Sequence, residues 1–141
     1  MSEKPTTPDL VELVRWFIGA LNRRDFDAAE RSLSPNTVME VVALGASFEG
    51  VAAIRGFYEE WTGAYEQFEI EIDEALDYGN GIVFAVFTMQ GRPVGGTGHV
   101  RYRIAQAQRW EDSVVVRITG GPGHEIDKVR AAAERLAKEP G

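Results

Sequence analysis

The stretch from Phe68 to Gln90, FEIEIDEALDYGNGIVFAVFTMQ, decides the architecture. Phe68, Ile70 and Ile72 alternate with Glu69, Glu71 and Asp73, which is the period of a half-buried strand. Gly79-Asn80-Gly81 follows, and residues that tolerate positive φ at that place signal a tight hairpin. Ile82 to Gln90 is the return strand, rich in β-branched and aromatic residues. The acidic row Glu69, Glu71, Asp73, Glu74 and Asp77 reads as a solvated sheet face and edge.

Downstream of this pair, Gly91 to Gly98 (GRPVGGTG) is a flexible connection and His99 to Trp110 a long strand. Glu111-Asp112-Ser113 makes a turn, Val114 to Thr119 is a last strand, and Gly120 to Gly123 breaks the pattern. Ile126, Val129, Ala133 and Leu136 then recur at helical spacing. Upstream, Thr6 or Thr7 can cap a helix with Pro8 and Asp9 in its first turn and Leu10, Leu13, Val14, Phe17 and Leu21 along one face. That helix stops near Asn22–Arg24. Asp25 caps a shorter second helix, which Ser34-Pro35 ends, because a residue before proline avoids helical angles. Thr37 to Leu44 is Val-rich and reads as a strand, Gly45 to Gly50 as a loop, and Ala53 to Tyr65 as a third helix. Helices followed by an antiparallel meander define an α+β fold.

The chain of 141 residues is 44% hydrophobic and 26% charged, the balance of one globular domain. A formal charge of -7 argues against nucleic acid and anionic membrane surfaces as partners. No segment approaches a membrane-spanning length, and MSEKPTTPDL has no apolar core of a signal peptide, so a cytoplasmic home is expected. The lack of cysteine removes disulfides, thiolate metal sites and a cysteine nucleophile. His99 and His124 lack the spacing of a metal pair, so no metal and no cofactor are expected. His99, beside the glycine loop, is either exposed or a proton carrier at a pocket mouth.

The segments FIGALNRRDFDAAERSLSPNTVMEVVALG (17–45) and FEGVAAIRGFYEEW (48–61) carry a resemblance. Their markers are ALN-x-x-D at Ala20 to Asp25, the strand after Pro35, and G-x-x-A-I-R-x-F-Y at Gly50 to Tyr58. The chain resembles the superfamily of SnoaL-like polyketide cyclases, ketosteroid isomerase, limonene epoxide hydrolase and nuclear transport factor two. The resemblance implies a cone-shaped, curved, antiparallel-rich sheet wrapped around the N-terminal helices, enclosing a pocket for a small apolar metabolite. It divides the chain into a polar tail (1–8), the cone domain (9–121), and an extra C-terminal helix and tail (122–141). It also implies pairing into a homodimer through the outer sheet face, where Phe84, Val86, Ala105 and Ala107 form an apolar patch that needs a cover.

The family's catalytic positions carry over with changed chemistry. The acid of the first strand falls on Val41, beside Met39 and Glu40, and the isomerase's helix tyrosine falls on Phe17. Its second, protonated aspartate falls on Gln106, and Tyr58 matches the tyrosine that supports that site. The Arg and Asp of the epoxide hydrolase fall on Ala85 and Phe87, and its last-strand acid on Gly120. The expected catalytic set is therefore Glu40, Tyr58 and Gln106. Phe17, Met39, Val41, Phe57, Trp61, Phe87, Tyr102 and Gln108 are expected to hold substrate. Two choices stay open. Glu40 either faces the pocket as an acid with raised pKa or alternates outward to solvent. Gln106 and Gln108 either point into the cavity, where unmatched burial costs roughly 1–3 kcal/mol each, or are turned out by a bulge near Ile104-Ala105. The reading is a cofactor-independent cyclase or isomerase, with a non-catalytic binding domain as the alternative.

Overall fold

The computed structural model describes residues 9–139. The tail at 1–8, with Thr6 and Thr7, lies outside them. Within them the first helix is capped by Asp9, whose carboxylate accepts from the N–H groups of Val11 (3.0 Å) and Glu12 (3.4 Å). Helix α1 (Leu10–Asn22) is followed by α2 (Phe26–Ala29), capped by Asp25. A 3-10 turn, Glu30–Ser32, extends α2. Strand β1 (Val38–Val41), a 3-10 turn (Val42–Leu44), β2 (Ala46–Glu49) and α3 (Val51–Gly63) come next. Strands β3 (Tyr65–Gly79), β4 (Ile82–Pro93), β5 (Val100–Glu111) and β6 (Val114–Pro122) complete the meander, and α4 (Ile126–Ala137) closes the chain.

The six strands form one open sheet in the order β2-β1-β6-β5-β4-β3. Only β1 and β6 run parallel; every other pair is antiparallel. Register breaks in β3 at Tyr65/Gln67, Ile72/Glu74 and Asp77/Gly79, and in β6 at Val116 opposite Arg109/Trp110, mark bulges. Bulges bend strands and tighten their twist, which curves the sheet around α1–α3.

Two of the three sequence markers carry structural joints. Asn22 donates to the Ile70 carbonyl (3.0 Å) and accepts from the Ile70 N–H (2.7 Å), fastening the end of α1 to β3. Arg55 on α3 pairs with Asp27 (2.7 Å), Glu30 (2.7 Å) and Glu59 (2.9 Å), tying α3 to the second helix. The Asn80-Gly81 turn has φ of 57° and 79°, as a two-residue hairpin requires. A Cβ on Gly81 would meet the Trp110 carbonyl oxygen at 2.5 Å, so only glycine fits there.

Three expectations are corrected. The strand expected over 37–44 ends at Val41, and Gly45, at φ 60°, reverses the chain so that the expected loop becomes β2, paired back on β1. The third helix starts at Val51 and stops at Gly63, and Tyr65 opens β3. The largest correction concerns the outer face. Phe84, Val86, Ala105 and Ala107 do point outward, but Val129 and Ala133 of α4 pack on them together with Ile126 and Leu136. The patch read as a dimer surface is covered by the chain's own helix. On the inner face Val14, Phe17, Leu21, Ile54, Tyr58, Val83, Phe87 and Trp110 share the main core with Met39 and Ile118. Among the described residues no helix is long and apolar enough to cross a membrane.

Candidate functional site

The site is built on alternation along β5. Ala105 and Ala107 face α4, so Tyr102, Ile104, Gln106, Gln108 and Trp110 face the helices α1–α3. No bulge interrupts the β4–β5 pairing at Ile104-Ala105. The two glutamines are therefore inside, and they find partners there. The Trp110 indole Nε1–H donates to Gln108 Oε1 (2.8 Å), and Gln108 Nε2 donates to Gln106 Oε1 (2.7 Å). Tyr58 lines the same cavity wall as Gln106.

Between β1, α3, β5 and β6 lies a cavity of about 640 Å³. Met39 and Val41, Phe57, Tyr58 and Trp61, Tyr102 and Gln106 line it, with Ile104 and Ile118. Phe57 stacks near-parallel on Trp61 (6.3 Å between centroids), and Phe17 meets Tyr58 edge-on at 5.8 Å. Burial pushes the Tyr58 phenol up to about 12, against a smaller lowering by the neighbouring Gln106 amide. Burial also lifts Tyr102 to about 12; the Trp61 indole N–H, 2.8 Å from its oxygen, acts against this, and the neighbouring Tyr65 hydroxyl adds to it.

Three expected substrate contacts stand behind the wall rather than in it. Phe17 and Phe87 are packed in the core, and Gln108 is sealed between Gln106 and Trp110. Strand alternation turns Phe87 and Gln108 inward and helical spacing turns Phe17 toward the sheet, but inward at those heights of the cone means core. Glu40 is corrected too. It borders the cavity, yet its carboxylate is turned to the outer face, accepting from Arg117 (2.8 Å) and Thr119 (3.3 Å). Met39 on one side of it is 2% exposed, so period two sends Glu40 the other way. His99 borders a separate, shallower cleft with Asn22, Glu69 and Gln90, not the cavity mouth. His124 borders the cavity instead.

The sequence reading missed the rim formed by Leu44 and Gly120-Gly121-Pro122-Gly123. The glycine run was itself the signal: glycine in a strand marks a place where something approaches the backbone closely. Gly120 leaves open the space that a side chain would fill beside Gln106. Among the described residues, no group of three or more His, Asp or Glu side chains could hold a metal ion.

The fold is an α+β cone with an apolar cavity against its inner sheet face. A family model for the SnoaL-like domain matches residues 14–118, and the chain belongs to that family. The family includes cyclases and isomerases. No curated protein matches the sequence. Solved structures share the fold at low identity. A protein of ketosteroid isomerase-like fold from Catenulispora acidiphila, in complex with trimethylamine, is 18% identical over 82% of this chain and 85% of its own, with a TM-score of 0.70. A Shewanella putrefaciens protein provisionally named a SnoaL-like polyketide cyclase is 11% identical over 89% of this chain and 98% of its own, with a TM-score of 0.69. AclR from Streptomyces galilaeus, provisionally named a hydroxylase, is 17% identical over 86% and 94%, with a TM-score of 0.69.

Proposed function

We propose that the protein is a cofactor-independent enzyme of the polyketide-cyclase type, closing or isomerising a ring in a bulky, largely apolar metabolite. The observation that carries this reading is an apolar cavity of about 640 Å³ with one buried polar point, Tyr58 beside Gln106. Donors held in a dry site stabilise charge that develops on a carbonyl oxygen far better than water does. Tyr58 and Gln106 have that role, and Trp61, Phe57, Met39 and Val41 hold the apolar body of the substrate. Among the described residues no carboxylate other than Glu40 borders the cavity, and Glu40 is committed to Arg117. Orientation of the folded substrate is then the main contribution, which in the best cases removes roughly 7–11 kcal/mol from a barrier.

The outward turn of Glu40 also favours a second reading, a binding domain that carries an apolar ligand without converting it. Native mass spectrometry of the purified protein, followed by incubation and chromatography of the released ligand, separates the two. An enzyme returns a product of new retention time, and Tyr58→Phe or Gln106→Ala slows its appearance about a hundredfold. A carrier returns the ligand unchanged. Turnover indifferent to both substitutions would sink the assignment of the site.

A further inference from the structure

We propose that Trp110, which stands outside the cavity, is a positioning residue whose indole N–H sets the direction of the hydrogen-bond chain ending at Gln106 on the cavity wall. An indole N–H donates and cannot accept. Bonded to Gln108 Oε1, it leaves Gln108 only its NH₂ group to offer onward, and that group occupies Gln106 Oε1. The amide end of Gln106 that remains is Nε2, which lies beside Gly120 on the cavity wall; a Cβ on Gly120 would be 3.8 Å from it. Gln106 thus presents an N–H, and no acceptor oxygen, to the cavity it lines. The Tyr102 hydroxyl, also on the cavity wall, accepts from the Trp61 indole N–H at 2.8 Å and is outside this chain. Trp110 is held in turn by its backbone N–H, 2.7 Å from the Gly81 carbonyl in the hairpin turn.

The ligand class follows: a neutral apolar molecule with a carbonyl or other acceptor oxygen at its buried end. This deepens the proposed function and rests on its reading of the cavity.

The test compares binding of 2-acetylnaphthalene and its isostere 2-isopropenylnaphthalene, and the infrared C=O stretch of the bound ketone. Wild type is expected to prefer the ketone about tenfold, the worth of one net hydrogen bond, with a lowered stretch. Trp110→Phe frees both amides to turn over and abolishes the preference and the stretch shift while the isostere binds unchanged. Gln108→Glu keeps a partner for Trp110 but accepts from Gln106, turning the Gln106 oxygen toward the cavity; it has the same effect and serves if Trp110→Phe does not fold. A wild-type preference and stretch retained in these variants overturns the assignment of Trp110. Equal binding of both probes by wild type also overturns it while leaving the cavity reading intact. Binding of neither probe by wild type removes the cavity reading and this inference with it.

Discussion

Raising the pH through the range in which an ordinary tyrosine ionises tests whether Tyr58 is the buried neutral donor that the site requires. A tyrosine in the unfolded chain loses its proton near 10, whereas burial holds the folded Tyr58 proton to about 12. Between these values the unfolded chain has lost a proton that the native state still binds, so stability falls as pH rises. Below the lower value both states are protonated and Tyr58 has no effect. The slope is about 1.4 kcal/mol per pH unit, so Tyr58 lowers stability by about 1.4 kcal/mol at about pH 11 and about 2.3 kcal/mol at about pH 12. Tyr102 is also lifted to about 12 but is partly open to solvent, which screens its share. Urea unfolding of wild type and Tyr58→Phe, at about pH 8 and about pH 11, cancels the other titrating groups. Wild type should lose about 1.4 kcal/mol more than the variant across that interval. An equal loss in both proteins would mean that Tyr58 titrates like an exposed phenol, and the donor role would go with it.

Three further substitutions probe the frame around the site. Phe84→Ala removes a ring that stacks on Tyr78 and lies 4.4 Å from the Arg130 guanidinium carbon under α4; chemical unfolding should show a loss of about 3–5 kcal/mol. Asn22→Ala leaves the Ile70 N–H and carbonyl without their shared partner and should cost about 1–3 kcal/mol, read as a lower thermal midpoint. Gly120→Ala places a Cβ in ordinary contact with Gln106, 3.6 Å from its Cγ, so the fold should keep its thermal midpoint while ligand affinity falls. Unchanged affinity in that variant would show that ligands do not reach the β6 wall.

The fold was legible wherever one residue type answers one physical need. Asn80-Gly81 supplied two positive φ angles, and the alternation of Phe68, Ile70 and Ile72 with acids oriented β3. The reversal at Gly45 was not legible, because a Val-rich run before it looks like continued strand until the partner that covers it is known. At the site, alternation told which face each residue takes but not how far up the cone it stands. Tyr58 and Gln106 came out on the cavity wall, while Phe17, Phe87 and Gln108 came out one layer behind it. Glu40 was settled by a cation that lies seventy-seven positions away in the chain, Arg117 on the parallel neighbour strand. Such a partner is invisible to local pattern.

The covering helix and the polar chain are two consequences of one strand register. Ala105 and Ala107 are small, and α4 lies close on them with Val129 and Ala133. Gln106 and Gln108, between and beyond those alanines, then have no choice but the inner face. A slip of one residue would press both amides against the apolar side of α4, each at roughly 1–3 kcal/mol without a partner, and would strip Trp110 of its acceptor. The helix that looked dispensable to a pocket on the far side of the sheet therefore holds the hydrogen-bond donors in place. For the same reason, substitutions along its inner stripe should disturb ligand recognition before they unfold the domain.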